Sequence, residues 1–267
     1  MFKPRERIMH RTLRNFLRTS SRYLLNSDEP MLQVKWAQSQ HEVMQAQKLR
    51  YTVFTEDFRA EISSPEGCDR DVFDVFCKHL IAIEAFSGRV VGTYRVLLPE
   101  DAKRAGNLYM ETEFDLAQLS GLKHDVIELG RSCVAPDYRD GTVIRRLLTG
   151  LAEFLSTRNE RYLIGCVSVP MFDGGFYATS IYKNLSTKPK HESQYRVTPI
   201  AALPATELYD QCDAVLPPLM RSYLKLGARL MGQPFYDAAF HCADFPMILE
   251  VERLERKFGK SMRRIAA

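Results

Sequence analysis

The sequence lacks the features that mark several common protein classes. It has no apolar stretch approaching the roughly 20 residues of a bilayer-spanning helix, so we predict no integral membrane protein. Its six cysteines form no C-x-x-C pair, and several lie in apolar runs such as Ile164-Gly165-Cys166-Val167, which is typical of reduced thiols in a cytosolic protein. Six scattered histidines, without H-E-x-x-H or Cys/His ligand spacing, predict no metal site.

The composition does not resemble that of a disordered chain. Of the 267 residues 45% are hydrophobic and 26% are charged, which is the profile of a folded protein with one large or two small domains. The net charge of +4 belongs to an N-terminal arm. Residues 1–25 carry seven basic side chains and one acid, a charge of +6 that leaves −2 for the rest of the chain.

The arm has the pattern of an amphipathic helix. Arg7, Arg11, Arg14, Arg18 and Arg22 recur every three or four residues, with apolar side chains on the opposite side. Such a helix suits an anionic membrane interface, and a solvated tail, a nucleic-acid arm or a mitochondrial presequence has a similar pattern. We predict a basic arm over residues 1–30 and a folded body over 31–267, with a C-terminal extension from about residue 200.

Hydrophobic periodicity in the body predicts a mixed α/β fold with one dominant domain. The predicted strands are 32–36, 79–86, 90–98, 125–134, 162–169 and 245–251, and the predicted helices are 41–58, 142–159, 175–185, 217–231 and a charged C-terminal segment. The short link between the second and third strands indicates a hairpin.

Charged residues interrupt the predicted strands or an apolar helix face at several positions. They are Arg50, Asp71, Asp74, Arg95, Glu128 and Arg131. Charges in such places are costly unless they are paired, which predicts an internal network of arginines and carboxylates. The network is either a set of structural salt bridges or part of a functional site.

The segment 134–142 joins a predicted strand to an amphipathic helix. A helix start beside a glycine and a basic residue offers backbone N–H groups, a positive dipole end and a cation to a phosphate. Arg139, Gly141 and Thr142 are the candidates for that role. A single glycine is a weak signal beside a P-loop, and a plain strand-to-helix turn is the alternative.

Several spaced motifs resemble those of one branch of acyltransferases. They are Leu49-Arg50-Tyr51-Thr52-Val53-Phe54, Asp71-Val72-Phe73-Asp74 with His79-Leu80, Gly92-Thr93-Tyr94-Arg95, and Glu128-Leu129-Gly130-Arg131-Ser132-Cys133-Val134. In this order they resemble the acyl-homoserine-lactone-synthase-like branch of the GNAT acyltransferases. The run from Glu128 with Pro136-Asp137-Tyr138-Arg139, together with segments 217–227 and 243–245, resembles the ornithine N-acyltransferases, so that the resemblance extends from about Val34 to about Arg253.

The resemblance implies a central, mostly antiparallel twisted sheet flanked by helices. It implies transfer of a 3-hydroxyacyl chain from acyl carrier protein to the α-amino group of L-ornithine, giving lyso-ornithine lipid, with no cofactor besides the acyl-carrier donor. The loop 139–143 is poorer in glycine than the usual GNAT phosphate loop, a departure that an enzyme taking a carrier protein instead of coenzyme A would tolerate, so the donor is implied by the family and not by this loop. Because the product is poorly soluble, we expect a cytoplasmic protein held on the inner face of the membrane through its arm.

Roles for single residues follow from the same resemblance. A thioester is already activated, so an amine attacks it directly, and no nucleophilic triad is visible. Glu128 is implied as the base, acting directly or through water, with Arg131 orienting it or pairing with substrate. The implied acceptor residues are Arg50, Phe54, Asp71, Asp74 and Arg95, and the implied phosphopantetheine residues are Cys133, Val134, Arg139, Gly141 and Thr142.

Other interpretations stay open at this stage. Cys133 is either an acyl-carrying thiol or a small buried one, and Tyr177 and Tyr182 either protonate the leaving thiolate or pack the core. The acceptor of the acyl chain is alternatively glycine, lysine, glutamine or a homoserine-lactone precursor. A non-catalytic acyl or carrier-protein binding module is the rival from another class, while a nucleic-acid binder would rest on the arm alone and is not predicted.

Overall fold

A computed structural model describes residues 31–204 and 214–262 of the chain. The predicted N-terminal arm lies outside these described residues. The ordered elements follow one another as β1 Leu32–Trp36, α1 Gln40–Phe58, β2 Lys78–Glu84, β3 Val90–Leu97, α2 Pro99–Ala105, β4 Phe114–Asp115, β5 Val126–Val134, α3 Thr142–Leu155, β6 Tyr162–Pro170, α4 Phe176–Ser186, β7 Thr198–Pro199, α5 Pro218–Leu226, β8 Arg229–Leu230, β9 Phe235–Asp237, β10 Cys242–Glu250 and α6 Val251–Met262. Short 3₁₀ turns, including Tyr109–Thr112, connect several of them. No helix in these ranges combines the length and the hydropathy that crossing a membrane requires.

Eight strands form the central sheet, in the order β1-β2-β3-β5-β6-β10-β8, and β9 pairs with the free part of β10. All pairings are antiparallel except that of β5 with β6. The predicted fold class and the predicted hairpin of β2 and β3 are therefore confirmed. The short strands β4 and β7 form a separate two-stranded sheet.

Some helices and strands begin or end at residues other than the predicted ones, because a capping side chain or a glycine sets the boundary. The Ser39 side chain accepts the Glu42 N–H and caps the start of α1. The predicted helix 217–231 was wrong in its second half, because Gly227, at φ 93°, ends α5 and the chain continues into β8. Strand β10 begins three residues before the predicted Phe245, and α3 ends at Leu155 instead of residue 159.

The two faces of the sheet carry different helices. On β3, Gly92 lies against α3, since a Cβ added there would be 2.4 Å from the Val143 side chain. Arg95, an odd number of residues further along, points to the other face, where Asp74 links it to Arg50 of α1. We call these the α3 face and the α1 face.

Strands β5 and β6 pair only at one end. Their parallel register covers Val126–Glu128 opposite Tyr162–Ile164, and beyond these residues the strands diverge. The contact is tightest at Gly165, where an added Cβ would lie 2.2 Å from the Leu129 carbonyl oxygen. A gap therefore opens in the middle of the sheet between the second halves of β5 and β6.

Candidate active site

A bulge in β5 places charged and hydroxyl side chains at the edge of this gap. Thr93 pairs with Cys133 and Arg95 with Gly130, so Arg131 and Ser132 together lie opposite Tyr94. Arg131 takes a left-handed conformation with φ 49°. The extra residue directs Arg131 to the α1 face and Ser132 to the α3 face.

The predicted network of arginines and carboxylates is present. Arg50 is fully buried, and its guanidinium contacts Asp69 at 2.7 Å and Asp74 at 2.9 Å. Arg95 contacts Asp71 at 2.6 Å and Asp74 at 3.5 Å. Burial alone would raise the pKa of Asp74, but the charges of Arg50 and Arg95 outweigh it, and the pKa lies below its usual value.

Arg131 joins this network to the gap. It lies 3.2 Å from Asp69 and 3.3 Å from Asp71, and it donates to the Tyr109 hydroxyl at 3.2 Å. Its guanidinium also covers the rings of Tyr109 and Phe240, at 4.9 and 5.2 Å from their centroids. The side chain is therefore fixed on both sides while it borders the cavity described next.

A cavity of about 720 Å³ passes through the gap and reaches both faces of the sheet. On the α3 face its walls are mostly apolar and include Leu129, Leu148, Leu151, Leu226, Leu249 and Leu254. On the α1 face apolar side chains such as Phe54 are joined by the polar and charged side chains of Arg95, Tyr109, Glu113, Glu128, Arg131 and Asp244. We call these the apolar compartment and the polar compartment. One cavity can thus hold an apolar chain and a charged molecule, joined at the gap.

Glu128 lies in the polar compartment and is held by backbone groups. Its carboxylate oxygens accept the N–H groups of Tyr109 at 2.7 Å and Met110 at 2.8 Å, at the start of the 3₁₀ turn. Burial raises the pKa of Glu128 to about 7, although these hydrogen bonds lower it in part. Each oxygen keeps a second lone pair, so the carboxylate can still accept a proton.

Two further carboxyl groups, which the sequence patterns did not single out as site residues, lie in the same compartment. Burial and the neighbouring Asp244 raise the pKa of Glu113 to about 9, and burial raises that of Asp244 to about 6. In the described part of the chain no arginine, lysine or histidine forms an ion pair with either group. The Cys166 thiol lies 3.6 Å from Glu113, and Ser168 donates to Asp244. The compartment therefore has an acidic wall, and the charge of Arg131 offsets the raised pKa values of Glu113 and Asp244 only in part.

Part of this wall has the spacing of a metal-binding group. The candidate ligand atoms of Asp237, Cys242 and Asp244 lie within 4.8 Å of one another. Burial and the charge of Asp244 raise the pKa of the Cys242 thiol, which therefore stays protonated and is a poor ligand. We assign no metal to this group.

The implied donor residues lie where the gap opens to the surface. Cys133, Val134, Arg139 and Gly141 line the cavity and Thr142 does not. The Arg139 guanidinium is paired with Asp57 at 2.7 Å. Gly141, at φ 91°, precedes α3, and the Thr142 N–H at its first turn donates to the Asp140 carboxylate at 2.8 Å.

The implied acceptor residues divide in the same way. Phe54 and Arg95 line the cavity, whereas Arg50, Asp71 and Asp74 lie behind it in the ion network. In this geometry Arg50 and Arg95 hold the carboxylates of Asp71 and Asp74 in place.

Cys133, Tyr177 and Tyr182, for which the sequence left two roles each, are buried, hydrogen-bonded to the backbone or packed in the core. Burial raises the pKa of Cys133 to about 12, so its thiol is not ionised near neutrality. The Tyr177 hydroxyl donates to the Val215 carbonyl at 2.5 Å, and Tyr182 packs against the core. None of them therefore fits the role of nucleophile or proton donor.

Comparison with known proteins gives consistent results. The acetyltransferase (GNAT) domain profile matches residues 49–149. The L-ornithine N(alpha)-acyltransferase of Agrobacterium fabrum is 30% identical over 254 residues, covering 85% of this chain and 83% of that protein. The enzyme of the same name from Rhizobium meliloti is 29% identical over 252 residues, covering 85% and 82%. The solved structure of a CoA-dependent acyl-homoserine lactone synthase, BjaI, with MTA, has a TM-score of 0.51 at 17% identity, covering 86% of this chain and 90% of that chain.

The sheet, the split between β5 and β6 and the matching domain profile define a GNAT acyltransferase. Within that class the chain belongs to the L-ornithine N(alpha)-acyltransferase family.

Proposed function

We propose that this enzyme transfers a 3-hydroxyacyl chain from acyl carrier protein to the α-amino group of L-ornithine. The observation that carries the proposal is the two-part cavity, which offers an apolar compartment to the chain and an acidic one to a diamino acid. The names of the relatives from Agrobacterium fabrum and Rhizobium meliloti support the same acceptor. The product would be lyso-ornithine lipid.

The acidic wall suits a cationic acceptor. Buried carboxyl groups with raised pKa values gain a favourable partner when an ammonium group enters, because the opposite charge stabilises the ionised form. Glu113 and Asp244 would bind the ammonium groups of ornithine. Arg131, which borders the cavity and has five N–H donors, would pair with the α-carboxylate through hydrogens that its own network does not use.

Glu128 remains our candidate base. It would take a proton from the α-ammonium group, directly or through a water molecule, after which the neutral nitrogen attacks the thioester carbon. The carbon–sulfur bond then breaks, the nitrogen gives up its second proton as the amide forms, and the leaving thiolate takes up that proton. Backbone N–H groups near Cys133 and Val134, where β5 has parted from β6, would meet the oxyanion that forms on the thioester carbonyl.

The helix start supports a carrier protein over coenzyme A as donor. The Asp140 carboxylate already accepts the first N–H of α3 and adds a negative charge there. Coenzyme A brings several phosphates to this place, whereas a carrier protein brings one. We propose that Arg139, Gly141 and Thr142 contact that single phosphate.

Mass spectrometry of lipid extracts tests the reaction. A host that lacks aminolipids would express the wild-type protein and, separately, the Glu128→Gln variant. We expect a new mono-acylated ornithine with the wild type and its loss in the variant. Detection of a different acylated amino acid would show that the acceptor is not ornithine. Absence of any new acyl-amine would favour a non-catalytic binding module. The rates of the purified protein with acyl carrier protein and with coenzyme A bearing the same acyl chain then identify the donor.

We also propose that the basic arm holds the enzyme on the inner face of the cytoplasmic membrane. Removing residues 1–25 is expected to lower its recovery with anionic vesicles while activity on soluble acyl donors is retained, since seven basic residues are lost. A full-length variant with Arg11, Arg14 and Arg18 changed to Gln separates charge from length. Equal recovery of full-length and shortened protein would contradict the proposal.

A further inference from the structure

Three hydroxyl groups meet on the α3 face of the cavity, beside the bulge. The hydroxyls of Tyr94 and Tyr223 are hydrogen-bonded to each other, and that of Ser132 lies within hydrogen-bonding reach of both. All three residues line the cavity, and they come from β3, α5 and β5. We call this group the hydroxyl cluster.

The cluster has hydrogens to donate and no strong acceptor for them. Within the described ranges its hydroxyls make hydrogen bonds to one another, and neither a carboxylate nor a backbone carbonyl accepts from them. Each hydroxyl has one hydrogen and two lone pairs, and a neutral hydroxyl accepts more weakly than a charged oxygen. An oxygen that becomes negative beside the cluster would therefore attract one of its hydrogens.

The position of the reacting carbon follows from the two compartments. If the acyl chain fills the apolar compartment and the amine lies in the polar one, the carbonyl carbon must lie in the gap between β5 and β6. Ser132 lies at the edge of that gap, because it belongs to the bulge where β5 has left β6. Tyr94 is almost fully buried, with 1% exposed, whereas Tyr223 retains accessible surface. Tyr223 is thus the tyrosine that can touch a substrate.

The two tyrosines keep their hydrogens over the working pH range. Burial raises the pKa of Tyr94, and burial together with Tyr94 raises the pKa of Tyr223 well above its usual value. A hydroxyl with such a pKa does not transfer its proton readily to a thiolate, whose pKa is about 8.5 in a free thiol. It remains a neutral hydrogen-bond donor.

We propose that Tyr223 is a catalytic residue that donates a hydrogen bond to the thioester carbonyl oxygen as negative charge develops on it. Tyr94 and Ser132 are positioning residues that orient the Tyr223 hydroxyl. The bond from nitrogen to carbon forms and the bond from carbon to sulfur breaks, while the hydrogen of Tyr223 stays on Tyr223. The inference rests on the proposed acyl-transfer function.

Tyr223→Phe tests the role. Removing one oxyanion donor lowers kcat by about 10²–10³ in well-studied cases, and we expect a loss of at least about 10-fold with an ornithine KM within about twofold of wild type. The loss should be the same from about pH 6.5 to about pH 9, because the hydroxyl does not titrate there. Tyr162→Phe is the matched control: its hydroxyl also contacts another tyrosine, Tyr195, at 3.1 Å, but it lies outside the cavity.

The outcomes separate the inference from the function on which it rests. If the wild type fails to acylate ornithine, both are overturned. If the wild type works and Tyr223→Phe matches Tyr162→Phe, only the catalytic role is overturned. A loss seen with 3-hydroxyacyl donors but not with unsubstituted ones would also overturn it, since the cluster would then contact the chain hydroxyl. If Tyr223→Phe lowers the melting temperature so far that the variant is not folded in the assay, Ser132→Ala is the second test. We expect this variant to show a smaller loss of kcat with an unchanged KM.

Discussion

At the scale of single residues, burial makes Glu128 titrate near neutrality. Its pKa is raised to about 7, so it changes from neutral acid to carboxylate as the pH rises through that value. Only the carboxylate can accept a proton. We expect kcat/KM to rise with an acidic limb near pH 7, and Glu128→Gln to lower kcat by about 10²–10⁴ and to remove the limb. Steady-state rates across this pH range measure both effects.

A matched variant controls for the change of charge. Glu153 is exposed on α3, and Glu153→Gln should leave the rate and its pH profile unchanged. If Glu128→Gln kept the same acidic limb at a rate within about tenfold of wild type, the base would have to be another group.

Removal of the Arg50 side chain should reduce the stability of the protein, because this guanidinium is fully buried and paired with two carboxylates. Arg50→Met would leave the buried Asp69 and Asp74 with only their longer contacts to Arg131 and Arg95, and loss of a buried partner of this kind lowers the free energy of unfolding by about 3–5 kcal/mol. Urea denaturation measures it. Arg70→Met serves as control, because the Arg70–Glu66 pair is exposed and contributes no more than about 1 kcal/mol. Similar losses for both variants would refute the structural role of the network.

Which residues could be predicted depended on the chain around them. The charges within β3, β5 and α1 stood out because they interrupt apolar runs, and the structure confirms that the arginines are paired with carboxylates. Asp244 carries the same signal within β10 and could have been predicted from it. Glu113 follows a 3₁₀ turn in a polar segment, and only the packing of that turn against the sheet buries it.

At the scale of elements, the gap depends on Gly165. An added Cβ would lie 2.2 Å from the Leu129 carbonyl oxygen, so Gly165→Ala must push β6 away from β5 at the last point of contact. We expect a loss of about 1–3 kcal/mol in the free energy of unfolding, together with reduced activity. Gly121→Ala is the control, since a Cβ there meets nothing within 4 Å. If thermal melts and rates are the same for both variants, the backbone at Gly165 and Leu129 can move apart without loss, and the prediction is contradicted.

The bulge explains why strand periodicity could not predict the site. In a regular strand, residues three apart lie on opposite faces, so Glu128 and Arg131 would be separated by the sheet. The extra residue in β5 places both on the α1 face. Position 131 is neither glycine nor proline, so the residue type there does not indicate the bulge or the left-handed backbone conformation.

At the scale of the whole molecule, three carboxyl groups should couple pH, stability and ornithine binding. The pKa values of Asp244, Glu128 and Glu113 are raised to about 6, 7 and 9. The native state therefore keeps protons that the unfolded chain releases. Its free energy of unfolding should fall as the pH rises from about 5 to about 9.

Ornithine should offset that loss. Its ammonium groups stabilise the ionised carboxyls, so it should raise the melting temperature more at pH 8 than at pH 6 and release protons on binding. Norvaline, which lacks the side-chain ammonium group, is the control ligand and should give a smaller shift. Equal shifts for the two amino acids would exclude the acidic wall as the recognition surface.

The fold class and the family could both be predicted from sequence, because ordered motifs and hydrophobic periods extend over most of the chain. The cavity could not, since it arises where two paired strands part, and pairing is a tertiary property. The same holds for the contrast between its two compartments, which requires knowing the face to which each side chain points.

The parting of β5 from β6 also determines the course of a catalytic cycle. In the proposed arrangement donor and acceptor approach from opposite faces, so neither blocks the entry of the other. The product, by contrast, has its head group on one face, its chain on the other and its amide bond between the strands. It can leave only by sliding out through the open ends at Val134 and Pro170 or by drawing one end through the gap. In this arrangement we expect a longer acyl chain to slow dissociation of the product and not the attack on the thioester.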